Sequence, residues 1–128
     1  MDVSESQRIE ELRQRVEKDP TSIAFAQLAE EYRRAGDFAE AVKVCRSGLA
    51  QHPAYVSARV TLARALIELK QFHDAQLELE SVIDVAPDNL AAIRALAELH
   101  QHHDPDETVV DQRDARDDRE KFHAASLT

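Results

Sequence analysis

A chain of 128 residues has room for one domain, and an apolar fraction of 43% suits a folded one. The net charge of −9 argues against nucleic acid and against an anionic membrane surface, because both are held by an excess of Lys and Arg. No apolar stretch approaches the ~20 residues that span a bilayer; the N-terminus lacks the basic start and apolar core of a secretory signal; and the one cysteine, Cys45, cannot form an intrachain disulfide, so the expected compartment is a reducing cytoplasm.

The first predicted element is a helix over roughly residues 4–18. Ser4 and Gln7 have capping-box spacing, and Ile9, Leu12 and Val16 make a narrow apolar stripe opposite Glu, Arg, Gln and Lys. Such a helix (residues 1–20) suits the end of a stack. Asp19-Pro20 is expected to start the next helix, with Phe25, Leu28, Ala29 and Tyr32 inward and Gly36 as its left-handed stop. Asp37 and Glu40 open its partner, whose inner face carries Phe38, Ala41, Val42, Cys45 and Leu49, and Pro53 closes the unit. Leu62, Ala63, Leu66 and Leu69 line the next helix. Phe72, Ala75, Leu79, Val82 and Ile83 line the one after it, and Pro87 closes that unit. Lys70 stands where Gly36 stood, so this turn either takes left-handed strain or adopts another geometry. A further helix begins near Asp88 or Asn89, with a predicted stripe of Ile93, Leu96, Ala97 and His100. Residues 104–128 are rich in charge and read as a charged helix or a loosely ordered tail.

The elements repeat. Residues 22–55 and 56–89 align at a spacing of 34, so that Leu28 meets Leu62, Ala29 meets Ala63, Phe38 meets Phe72, Ala41 meets Ala75 and Pro53 meets Pro87. A third copy begins with Leu96-Ala97 over residues 90–103 and then fails, with Asp106 where Phe38 and Phe72 stood. A fixed period of this length marks stacked helical repeats, which build an extended surface and seldom a reaction pocket.

Phe25, Leu28-Ala29, Tyr32, Ala41, Cys45, Gly48 and Pro53, with Leu62-Ala63, Leu66, Ala75, Leu79, Val82 and Pro87, make residues 22 to about 100 resemble tetratricopeptide repeats. Arg59 departs from the pattern, where a bulky apolar residue is usual; its stem is expected to pack with the head in water. The resemblance implies an all-α fold, a right-handed α–α superhelix of stacked antiparallel hairpins, whose first helices line a concave groove that grips a peptide or a partner helix. On that geometry the groove carries Gln27, Glu30, Arg34, Thr61, Arg64, Glu68, Arg94 and Glu98. Position nine of successive units reads Glu30, Arg64, Glu98, and position thirteen reads Arg34, Glu68, His102. This predicts two charge-alternating ladders between neighbouring helices, serving either a partner or only each other. Some members of the family clamp the C-terminal carboxylate of chaperones with Lys and Asn on the first helices. Here the lysines are Lys18, Lys43, Lys70 and Lys121 and the one Asn is Asn89, none at those positions, so no such clamp is expected.

His100, His102 and His103 beside Asp104 and Asp106 have the residue types of a zinc or nickel site. Histidines near a helix C-terminus are more simply read as complementing its dipole, and no metal or cofactor is expected. Cys45 lies on an inner stripe as a small apolar residue. Neither a phosphate-binding Gly loop nor a nucleophile elbow occurs. The expected function is therefore a non-enzymatic protein–protein interaction module. Self-association through the degenerate third unit, giving a homodimer, is the second reading, and a metal enzyme at His100–His103 a distant third.

Overall fold

The computed structural model describes residues 3–102. Their six helices are α1 (Val3–Lys18), α2 (Ala24–Arg34), α3 (Phe38–Gln51), α4 (Val56–Glu68), α5 (Phe72–Val85) and α6 (Leu90–His102), with no strand among the described residues. The expected charged helix or tail from residue 104, and His103 of the histidine cluster, lie outside them, as does the side chain of His102. α2 pairs with α3 and α4 with α5 as hairpins; α3 then packs on α4 and α5 on α6. The first helices also touch one another in the row α2, α4, α6, and α1 lies against α2. This is the helical-hairpin superhelix that the period predicts.

The two hairpins turn the same way although their residues differ. Gly36 has φ +86° and Lys70 φ +62°. In each turn an amide reaches back across the left-handed residue, Asp37 N–H to the Tyr32 carbonyl and Gln71 N–H to the Leu66 carbonyl, both at 2.9 Å. That bond satisfies a helix-end carbonyl and defines the cap. The left-handed alternative foreseen for Lys70 is the one adopted, and an L side chain there costs about 1 kcal/mol that glycine avoids. Lys70→Gly is expected to stabilise the chain by roughly 0.5–1 kcal/mol in urea unfolding; a loss of stability would show that the Lys70 stem contributes more packing than its backbone costs.

Three local expectations are corrected. Asp19-Pro20 does not start α2, which begins at Ala24. The Asp19 carboxylate instead accepts from the amide and hydroxyl of Thr21, at 3.1 and 2.7 Å, and the Ser22 hydroxyl accepts from the Ala24 amide. The capping signal is consumed by a turn, since Asp bonds its own backbone two residues on as readily as a helix end. The Arg59 head is not free in water: its side chain is only 25% exposed. It donates through Nε (2.9 Å) and through a terminal nitrogen (2.6 Å) to the Pro53 carbonyl, and its other terminal nitrogen meets Glu78 at 2.9 Å. A guanidinium thus ties the loop before α4 to α5 at the position where the first unit uses the Phe25 ring. In α6 the buried stripe is Ala92, Ala95 and Leu99 with Leu96 beside it, whereas Ile93, Ala97 and His100 are exposed. The predicted stripe faces a hairpin partner in the first two units, and the described residues include none for α6. What α6 buries is the face that meets α4 and α5.

The interior forms two contiguous clusters. The larger runs from Phe25 and Cys45 through Leu62, Leu66, Leu79 and Val82 to Leu99. The smaller joins Ile9 and Leu12 of α1 to Leu28, Tyr32, Ala41 and Ala65. Small residues at Ala29, Ala41, Ala63 and Ala75, all fully buried, let the helices approach closely. Gly48 is the tightest point: a Cβ there would overlap the Phe25 ring. That ring is also stacked on His52 (centroids 5.9 Å, 7° between planes) and meets Tyr55 edge-on at 5.7 Å, while the His52 Nε2 hydrogen-bonds the Thr21 carbonyl. Cys45 is fully buried with its thiol toward the Ala58 carbonyl (3.5 Å), and burial pushes that thiol up to about 12.

Candidate interaction groove

Because α1 precedes the first hairpin and, among the described residues, packs on α2 alone, it stands beside the row of first helices. Between α1 and the row is an open depression of about 740 Å³. Small and medium side chains line part of it: Ala26 and Gln27 of α2, Ser57, Val60 and Thr61 of α4, Ala91 of α6. Arg8, Glu11 and Arg15 of α1, Glu30 and Glu31 of α2, and Arg64 of α4 line the rest, with Tyr55 and Asn89 at the loops. Residues 8, 11, 12 and 15 are spaced i, i+3, i+4 and i+7, so one face of α1 both buries Leu12 and presents charge to the depression.

The charges are not arranged as the predicted ladders. Glu30 is held within its own helix by Arg33, whose Nε and a terminal nitrogen bond the two carboxylate oxygens at 2.9 and 2.7 Å. Thr61 adds a hydrogen bond from α4 at 3.3 Å. The Arg33 hydrogen bonds hold the Glu30 carboxyl below its usual range against the opposing effect of burial, with smaller help from Thr61 and the Arg64 charge. In return Glu30 raises Arg33, and the charges of Glu98 and Glu68 add to that. Arg8 reaches from α1 to Glu31 at 3.3 Å. Among the described residues no ion pair joins Glu30 to Arg64, Arg64 to Glu98, or Arg34 to Glu68. Arg33, three residues on in the same helix, already holds both Glu30 oxygens in a bidentate pair.

Of the eight predicted groove residues, Gln27, Glu30, Thr61 and Arg64 line the depression. Arg34 and Glu68 sit exposed in the last turns of α2 and α4, Arg94 is exposed on α6, and Glu98 is half-buried there. Sequence reasoning missed the α1 contribution of Arg8, Glu11 and Arg15, whose i, i+3, i+7 spacing was visible, and Arg33, whose spacing from Glu30 marks an intrahelical pair. Among the described residues no group of three or more His, Cys, Asp or Glu side chains is placed to hold a metal ion, and no helix is long and apolar enough to cross a membrane.

Stacked helix hairpins with a concave row of first helices define a helical-repeat protein. The family model for the tetratricopeptide repeat matches residues 32–102, more than half of the chain. The chain belongs to the tetratricopeptide repeat family, whose fold is that of protein–protein interaction modules. Among solved structures it is similar to the first tetratricopeptide domain of Spaghetti (RPAP3) bound to the HSP90 peptide SRMEEVD, at TM-score 0.73 and 23% identity over 77% of this chain and 79% of that one. It is also similar to the solution structure of the first such domain of human RPAP3, at TM-score 0.66 and 22% identity over 77% and 84%. At these identities the likeness is one of fold. A curated relative, the uncharacterized protein y4yS of Sinorhizobium fredii (strain NBRC 101917 / NGR234), is 42% identical over 55 residues, 43% of this chain. The match spans 30% of that relative's length.

Proposed function

We propose that the chain is a non-enzymatic adaptor that receives a peptide or a helix of another protein in the depression between α1 and the row α2, α4, α6. The observation that carries this reading is the depression itself, lined by short side chains of α2, α4 and α6 and by ionic side chains of α1, α2 and α4. A lining of this kind admits a partner backbone, and a groove preformed on packed helices limits the ordering cost of binding. One structural neighbour holds a peptide, which supports the same use of the fold here. No lysine lines the depression, and its one asparagine, Asn89, has its side-chain oxygen taken by the Ala92 amide, which argues against end-on capture of a chaperone tail by this chain.

Selection of a displayed random-peptide library against the intact chain tests the reading. Selected peptides are expected to lose binding to Thr61→Trp, which fills the depression, and to keep it with Lys43→Trp, an exposed position on α3, both variants showing unchanged helical circular dichroism. Peptides indifferent to Thr61→Trp would refute the groove as the binding surface. A second reading, self-association through α6, is favoured by the exposure of Leu90 (59%) and Ile93 (43%). Light scattering that gives a constant monomer mass across a dilution series would dispose of it.

A further inference from the structure

The groove does not share the acidic excess of the molecule. The whole chain has 16 Lys and Arg against 25 Asp and Glu. The ionic side chains that line the depression are three arginines and three glutamates, and Arg33 stands behind Glu30. Two of the glutamates are already taken up by side-chain hydrogen bonds, Glu31 by Arg8 and Glu30 by Arg33. This leaves Arg15 on α1 and Arg64 on α4 without an ion-pair partner among the described residues, facing one unpaired carboxylate, Glu11. Arg64 is half-buried and Arg15 exposed, and they belong to different helices, α4 and α1. Two guanidiniums outside any ion pair, facing one unpaired carboxylate in a chain that is otherwise strongly acidic, are a recognition feature, because like charge elsewhere on the surface repels the same ligand.

Taking the groove reading above as its basis, we infer that the occupant is a segment of another protein bearing acidic side chains, one set against Arg15 and another against Arg64, on either side of a backbone that lies over Ala26, Val60 and Thr61. Recognition is of side-chain carboxylates along the segment. A terminal carboxylate plays no part in it. Glu11, one turn before Arg15, keeps the acidic groups away from the middle of α1 and toward α4.

Fluorescence anisotropy with two probes tests this. Both are N-acetylated, C-amidated peptides of roughly 14 residues, the length at which a helix begins to persist alone. One carries Glu at every third or fourth position on an Ala background and the other carries Lys at the same places. The Glu peptide is expected to bind the intact chain and the Lys peptide not to bind. Binding should weaken as salt is raised. The double substitution Arg15→Glu, Arg64→Glu is expected to weaken the Glu peptide about tenfold or more, since each contact changes from attraction to repulsion. A free C-terminal carboxylate in place of the amide is expected to leave affinity unchanged. The inference is overturned if the Lys peptide binds as well as the Glu peptide, if neither binds, or if the double substitution has no effect. A Lys peptide that binds and is lost on Thr61→Trp would refute the acidic occupant and leave the groove reading standing; a Glu peptide untouched by Thr61→Trp would refute both.

Discussion

Leu66→Ala is expected to remove about 2–5 kcal/mol of stability, the range for deleting a fully enclosed leucine whose surroundings relax only in part. Leu66 is fully buried on α4, and α4 is the helix that touches α2, α3, α5 and α6. A cavity there loosens both hairpins at once. Domains of this size are stable by only about 5–15 kcal/mol, so the midpoint of thermal unfolding should fall by roughly 10 °C or more. Leu99→Ala, equally buried but on α6, is the matched control. In a one-dimensional stack each unit is supported by its neighbours alone, so that change should free the amides of α6 in hydrogen exchange while leaving those of α2 and α3 protected. If the two variants opened the same amides, the chain would be folding as a single cooperative globule and not as a stack.

The second large effect is expected at Gly48. Replacing it with Ala improves helix propensity by about 1 kcal/mol, yet the new Cβ enters space held by the Phe25 ring. That ring cannot swing aside, because His52 and Tyr55 flank it. Overpacking of this kind costs about 1–3 kcal/mol and should exceed the propensity gain. The second unit supplies the internal comparison: it carries Val82, fully buried, at the equivalent place, and Arg59 instead of a ring at the position of Phe25. Gly and Phe therefore form a matched pair. Combining Gly48→Ala with Phe25→Leu should cost less than the two single changes added together, by the 0.5–3 kcal/mol typical of residues in contact. Strict additivity in urea unfolding would mean that the ring and the glycine are energetically independent.

The fold was legible because its signal is long-range and redundant. Leu28 with Leu62 and Ala41 with Ala75 repeat the same packing decision at one spacing, and all four are buried. Local signals were weaker. Asp19-Pro20 reads equally as a helix start or a turn, and only the path of the chain from α1 into α2 selects the turn. In α6 the repeat pattern pointed to Ile93, Ala97 and His100, yet burial depends on which neighbours are present, and among the described residues α6 meets α4 and α5 alone. The groove was half legible. Thr61 and Arg64 follow from the repeat register, whereas Arg8, Glu11 and Arg15 reach the depression because of how α1 leans on α2, a tertiary fact with no period to reveal it. The ladders failed on competition: alternation between helices was real in sequence, but Arg33 was nearer to Glu30 than Arg64 was.

Cys45 gives the molecule a chemical clock of its own. Its sulfur is sealed at the seam between the first hairpin and α4, next to the Ala58 carbonyl, where burial pushes the thiol up to about 12. At neutral pH it is neither ionised nor reachable while that seam is shut. Alkylation therefore proceeds only through openings of the seam, and the labelling rate counts those openings in a chain that needs no engineered probe.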